Sequence, residues 1–235
     1  MIRATHGIIQ SKATASTSGI ITTGLLMYIN PSIVQSSGAT VYDYLGNNVG
    51  TINNSTGVLV NDPTVGKIFQ LNGTDQYITI NNTLAFSAGF TMQFIIKKGV
   101  NLPGFSWIFS SVTPTNFSLY EIVNTQRRFY IETSNGGGFL NPDLSSNING
   151  WVMLTLINSN ANNSQTKLLK NNSTTSYICT SNNSILSGNL NVFLGRYPGQ
   201  ANYSGDFGAY MFYNRVLNQN EINNNFDVAA SRFGI

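Results

Sequence analysis

The stretch Asp206-Phe207-Gly208-Ala209-Tyr210-Met211-Phe212-Tyr213-Asn214-Arg215-Val216-Leu217-Asn218-Gln219-Asn220-Glu221-Ile222 decides the fold. Residues 206–213 are aromatic and apolar with little charge, the composition of a strand. A helix start comes directly after them. Asn218 can cap the first turn, and Glu221 three residues later can reach back to it, the polar pair of a capping box. Ile222 and Phe226 then share one helical face. A strand therefore hands over to one short helix near the C-terminal end.

Upstream, the chain reads as short strands cut by turn residues. Leu25-Leu26-Met27-Tyr28-Ile29 stops at Asn30-Pro31, and Lys67-Ile68-Phe69-Gln70-Leu71 runs into Asn72-Gly73. Tyr77-Ile78-Thr79-Ile80 and Phe90-Thr91-Met92-Gln93-Phe94-Ile95-Ile96 alternate with a period of two, giving one face to a core. Further strands are expected at 105–112, 117–123, 128–133, 151–158, 165–170, 175–180 and 190–195. No strand–helix–strand alternation is visible. The expectation is all-β: an antiparallel β-sandwich (jelly roll) with one short C-terminal helix. Residues 1–23, rich in Ser, Thr, Ala and Gly, read as an N-terminal arm, and 24–235 as the sandwich.

The 235 residues are enough to bury a core without disulfides. The single cysteine, Cys179, lies in an expected strand and reads as a buried, inert thiol. Only 9% of residues are charged, against about 25% in an average domain. A polar but neutral surface suits packing into assemblies, where few charges need desolvating. The net charge is +3, but basic residues are scattered, with Lys97-Lys98 and Arg127-Arg128 the adjacent pairs. They read as solvated pairs, and no basic stripe for nucleic acid is present. No apolar run approaches the roughly 20 residues that span a bilayer. Residues 1–24 hold no continuous apolar signal segment, so the expectation is a protein made in a cytoplasm and not exported by the general secretory route.

Three blocks resemble the laminin G-like domains of the concanavalin A-like lectin/glucanase superfamily, in the version found in viral and bacterial surface proteins. The first is Gly24–Pro31 followed by Val41-Tyr42-Asp43-Tyr44-Leu45-Gly46-Asn47-Asn48, where Asn30 and Val41 replace an acidic residue and a Trp of the family pattern. The second is Phe69–Ile80 with Phe90–Lys97. The third is Asn189–Arg196 with Ser204–Ile222, where Tyr-Asn-Arg-x-Leu-x-x-x-Glu-Ile is the most specific signal. The resemblance covers about residues 24–230. It implies the sandwich, and it implies that a Ca²⁺ ion can be held by Asp, Asn and carbonyl oxygens. Asp43, Asp75 and Asp206 fall in the matching blocks and are the metal candidates; the competing reading is that each satisfies turn amides. No cofactor is required.

Catalysis is not expected. A retaining glycosidase needs two carboxylates about 5 Å apart, and none of the nine acidic residues falls in the Glu-x-Asp-x-Glu spacing usual on this fold. Glu121 and Glu132 are the one pair that neighbouring strands could bring face to face. The lone histidine, His6, cannot build a zinc site or a triad. Sugar binding needs aromatic platforms and planar amides. Tyr197, Asn202 and Tyr203, in the loop 197–203, are the best candidates, with Trp107 and Tyr130 beside them. The leading expectation is a non-catalytic virion structural protein, a capsid decoration or tail-fibre-type component. It would be located in the virion, meet other virion proteins through residues 1–23 or form a homo-oligomer, and use a lectin-like sandwich suited to glycans. Neither nucleic acid nor membrane is an expected partner. The alternatives are a carbohydrate-binding module of a bacterial surface or secreted protein, hence extracellular, and, third, a glycoside hydrolase.

Overall fold

The structure, a computed structural model, describes residues 19–32, 39–44, 48–81, 84–86, 89–99, 104–111, 117–122, 128–133, 136–140, 150–159, 166–174, 177–178, 188–200 and 202–235. The strands are β1 (Leu25–Ile29), β2 (Thr40–Tyr42), β3 (Asn48–Asn53), β4 (Leu59–Asp62), β5 (Gly66–Asn72) and β6 (Tyr77–Ile80). Next in the chain are β7 (Leu84–Phe86), β8 (Phe90–Lys98), β9 (Phe105–Ser111), β10 (Phe117–Ile122), β11 (Arg128–Thr133) and β12 (Gly136–Leu140). The last are β13 (Trp151–Asn158), β14 (Thr166–Lys170), β15 (Tyr177–Ile178), β16 (Gly188–Leu190), β17 (Val192–Leu194) and β18 (Ser204–Tyr213), before helix α1 (Gln219–Phe233).

The first sheet has the order β15-β14-β13-β8-β18-β5-β4. Strand β18 is flanked by β8 on one side, and its other side is shared. Its first half pairs with β5 and its second half with β1. A bulge between Phe207 and Ala209 separates the halves. It sits at Gly208, where a Cβ would lie 2.3 Å from the Phe233 ring. The second sheet runs β12-β11-β10-β9-β17-β6-β3-β2, and β16 and β7 form a separate pair. The pairings within both sheets are antiparallel, so the expected β-sandwich is what the chain forms.

The main core lies between the sheets. Phe90, Met92, Phe94 and Ile96 of β8 meet Phe109, Phe117 and Leu119 of the second sheet and Tyr210 and Phe212 of β18. Phe94 and Tyr210 have ring centroids 5.0 Å apart. The period-two reading of β8 gave it one buried face. In the fold both faces are buried, because α1 covers the outer side of the first sheet. Ile222, Phe226, Ala229 and Phe233 recur at helical spacing and pack on Ile95, Met153, Met211 and Tyr213. Burying each large side chain there contributes on the order of 2 kcal/mol.

The helix is longer than the sequence suggested. Asn218 accepts from the Glu221 N–H at 3.0 Å and Glu221 accepts from the Asn218 N–H at 2.9 Å, completing the capping box. Arg215 clamps the same carboxylate with two bonds of 2.7 and 2.8 Å. Gly234 ends the helix in the left-handed region at φ 67°. Arg232 in the last turn donates to Asn30 Oδ1, to Ser32 Oγ and to the Val65 and Lys67 carbonyls. Asn30, where the family pattern has an acid, thus holds this arginine as a neutral acceptor.

Residues 19–23 lie against this layer. Ile20 is buried, the Ile21 N–H donates to Asn225 Oδ1 at 2.9 Å, and Tyr213 donates to the Ile21 carbonyl at 3.0 Å. Residues 1–18, the rest of the expected arm, and Cys179 lie outside the described residues. Among the described residues no helix is long and apolar enough to cross a membrane.

Candidate functional site

The strongest concentration of unusual side chains is on the outer face of the second sheet. Strands β9 and β10 pair in register with one irregularity. Leu119 faces Phe109, but Tyr120 faces Trp107, so Ile108 is the extra residue of a bulge. The bulge sends both Ile108 and Phe109 into the core and leaves Trp107 and Tyr120 on the outer face. Phe105 and Ser110 of β9 and Ser118 of β10 share that face by alternation.

A loop from β17 to β18 closes over these residues. It opens at Gly195, which has φ 80° and no room for a side chain, since a Cβ would stand 2.3 Å from Leu71. The Gly195 N–H donates to the Ile108 carbonyl at 2.9 Å, and the Tyr203 N–H returns to the Gly195 carbonyl at 2.9 Å. Between them Tyr197-Pro198-Gly199-Gln200 forms a tight turn, with the Gln200 N–H donating to the Tyr197 carbonyl at 3.0 Å. Pro198 presets the turn and Gly199, at φ 82°, completes a type II geometry. This places Tyr197 over Trp107.

The result is a run of four rings, three of them stacked at a tilt and the fourth, Phe105, meeting Tyr120 edge-on. Tyr197 and Trp107 have centroids 4.5 Å apart, Trp107 and Tyr120 4.0 Å, and Tyr120 and Phe105 6.0 Å. Its inner members are buried: Trp107 is 5% exposed and Tyr120 7%. Its ends reach the surface at the part-exposed Tyr197 and at Phe105, which is 46% exposed. Trp107 Nε1 and Ser118 Oγ are buried without a hydrogen-bond partner. Arg196 precedes Tyr197 in the chain, and its guanidinium lies 4.2 Å from the centroid of the Tyr77 ring on β6, which in turn meets Phe193 at 6.3 Å. Ser110 donates to the Arg196 carbonyl and fixes the backbone there.

The geometry gathers most of the candidates read from the sequence around Trp107 but gives them different roles. Tyr197 stands at the surface of the stack. Trp107 is in the stack but has a ring on each face, so it supports Tyr197 instead of offering a platform. Asn202 bridges to Trp107 and its amide donates to the Thr74 carbonyl at 2.9 Å; only 4% of the residue is exposed. Tyr203 is a core residue, packed on Phe207 at 5.0 Å and donating to the Lys97 carbonyl. Burial raises its hydroxyl well above the usual tyrosine range. The backbone of Tyr130 pairs with Tyr120, and its side chain is outside the described residues. Phe105, Tyr77 and Arg196 belong to the surface and were missed. The alternation Phe105-Ser106-Trp107 facing Tyr120 was a usable signal.

The three metal candidates do not gather into one site. Asp75 is an exposed turn acid that accepts from Asn72 Nδ2 at 2.8 Å and Asn54 Nδ2 at 3.1 Å. Asp206 accepts from Gln70 Nε2 at 3.1 Å, and burial raises its carboxyl above the ordinary value. Asp43 is buried after β2. Among the described residues no group of three or more His, Cys, Asp or Glu could hold a metal.

Elsewhere, Lys98, expected to be solvated, forms an ion pair with Glu121 at 2.7 Å, with side chains 5% and 4% exposed. A groove of about 260 Å³ lies between β13, β14 and the start of α1, lined by Lys167, Thr174, Val216 and Gln219 among others.

No protein-family model and no characterised protein sequence matches the chain. Solved structures do. Domain 4 of an extracellular GH43 arabinanase from Geobacillus stearothermophilus, in complex with arabinotriose, gives a TM-score of 0.64 at 16% identity. The likeness covers 85% of this chain and 96% of that domain. The binding domain of botulinum neurotoxin DC, in complex with SialylT, gives 0.63 at 16% identity over 88% of this chain. Trypanosoma rangeli sialidase gives 0.60 at 14% identity, also over 88%. The chain spans 52% of the toxin domain and 33% of the sialidase. At these identities the shared feature is the β-sandwich.

Proposed function

We propose that this chain is a carbohydrate-binding β-sandwich module that binds without cleaving. The observation that carries the reading is the four-ring stack on an outward sheet face, emerging at Tyr197 and Phe105. An outer face needs no aromatic interior of its own, whereas rings anchored from below and open above suit the apolar faces of sugars. The laminin G-like resemblance points the same way, as do neighbours solved with arabinotriose and SialylT. A module of this kind would work outside the cell or at its surface.

A binding module replaces the virion component expected from the sequence. The likenesses give the virion role no support, and residues 19–23, offered as part of an assembly arm, bond to their own domain. Cleavage has little under it. Glu121 is committed to Lys98. Glu132 pairs with Ser118, three positions along the ladder from Glu121, roughly 10 Å of strand.

The test is a glycan array followed by calorimetry, with arabinotriose as the first probe. Tyr197→Ala should weaken binding to any hit at least about ten-fold, roughly 1.4 kcal/mol, while the protein stays folded with a melting temperature lowered by the loss of one ring contact, about 0.5–1.5 kcal/mol. No binding to any sugar at millimolar concentration would sink the proposal, and release of new reducing ends from a bound polysaccharide would overturn its non-catalytic part.

A further inference from the structure

We infer that the surface at the Tyr197 end of the stack takes a glycan carrying a carboxylate, with Arg196 reading the charge. The inference rests on the sugar-binding reading and adds the class of sugar. Arg215, Arg232 and Arg196 use their charge in different ways. Arg215 spends it on Glu221. Arg232 is surrounded by the Val65 and Lys67 carbonyls and the Asn30 and Ser32 side chains. Arg196 stands apart: among the described residues its guanidinium meets the Tyr77 ring at 4.2 Å and no carboxylate, the ion pairs being Lys98–Glu121 and Arg215–Glu221. The nearest acid along the chain from Tyr77, Asp75, is held by the amides of Asn54 and Asn72.

The position of this cation is built. Ser110 holds the Arg196 carbonyl, the Gly195 N–H is tied to Ile108, and the next residue, Tyr197, stands on Trp107. A guanidinium stacked on a ring keeps its planar fork of N–H donors free at the edge, the geometry that matches a carboxylate with two bonds. Tyr77 on β6 lies two strands from Trp107 on β9, roughly 10 Å, so an oligosaccharide lying on Tyr197 is long enough to bring an acidic substituent to Arg196. Little ordering would be left for binding to supply, because both residues are already fixed.

The experiment measures binding of the full chain to tri-galacturonate, to its methyl ester, to a sulfated oligosaccharide of the same length and to arabinotriose, at low and high salt. The expected result is at least roughly ten-fold tighter binding of the free acid than of the ester, an advantage that shrinks with salt. Arg196→Gln should weaken binding of the free acid more than of the ester and so remove that advantage, Arg196→Lys should keep only part of it, and Tyr197→Ala should weaken both. Equal binding of acid and ester, an Arg196→Gln variant indistinguishable from the parent, or tighter binding of the sulfated sugar overturns the carboxylate assignment while the module reading stands. Failure of all four sugars overturns the carboxylate assignment, and the module reading falls with it only if the glycan array is also blank.

Discussion

The two sheets each bury an outer face, and they do it differently. On the first sheet the cover is α1, and the polar groups beneath it are matched. Asn225, fully buried, donates to Gln93 Oε1 at 2.7 Å and to the Tyr213 hydroxyl at 2.8 Å and accepts from the Ile21 N–H. Gln93 in turn donates to Thr155, and Thr91 serves both the Arg215 carbonyl and the Leu217 N–H. On the second sheet the cover is a ring stack and a loop, and Trp107 Nε1 and Ser118 Oγ stay unmatched. A buried polar group without a partner is costly and uncommon. The first face is a finished interior. The second leaves two polar groups unmatched beneath an aromatic cover.

The largest effect expected from breaking this contrast is on the matched side. Asn225→Ala strands three groups at once: the Ile21 N–H, the Gln93 carbonyl oxygen and one bond of the Tyr213 hydroxyl. Leaving buried groups unsatisfied costs roughly 1–3 kcal/mol each, and partial relaxation brings the expected loss to about 3 kcal/mol. Urea denaturation measures it. A loss below about 1 kcal/mol would mean that the layer under α1 is held by its apolar contacts alone.

A smaller effect is expected at the edge of the same layer, and it depends on pH. The Arg215 bond holds the Glu221 carboxyl below its ordinary 4.5; burial opposes this, and the Asn218 N–H adds to the lowering. A depressed carboxyl stabilises the fold above its unfolded pKa, and the contribution fades as pH falls through the folded value. Glu221→Gln should therefore cost about 1 kcal/mol near neutral pH. The gap between parent and variant should narrow below pH 4.5. Asp206 has the opposite sign, since burial raises its carboxyl, so the difference between the two proteins is the quantity to follow. A gap independent of pH would assign the effect to shape and not charge.

The matched side was also the legible one. Tyr213, Arg215, Leu217, Glu221 and Ile222 lie within one short span of chain, and their roles come from one strand running into one capped turn. Local geometry sufficed. It did not suffice for β8, whose second buried face depends on a helix far along the chain. The ring stack was harder still. It needs the register of β9 on β10, the bulge at Ile108, and a loop that returns from β17. Tyr197 and Tyr203 flank the same turn and look equivalent in sequence. The loop closes at the Tyr203 N–H, directly before β18, and that carries the Tyr203 ring into the core while Tyr197 stays outside. No periodicity distinguishes them. Residue type pointed to the region, and only pairing across strands separated supports from surface.

The smallest effect is the sharpest test of the contrast. Ser118 is fully buried and its hydroxyl is already desolvated with nothing bonded to it, so Ser118→Ala removes a cost and no bond. The expected change in stability lies between zero and a gain of about 1 kcal/mol, opposite in sign to Asn225→Ala although both truncate a buried polar side chain. Urea denaturation of the two variants side by side gives the comparison directly. A Ser118→Ala protein that loses about 1 kcal/mol or more would show that the hydroxyl has a partner, and the two outer faces would then be alike.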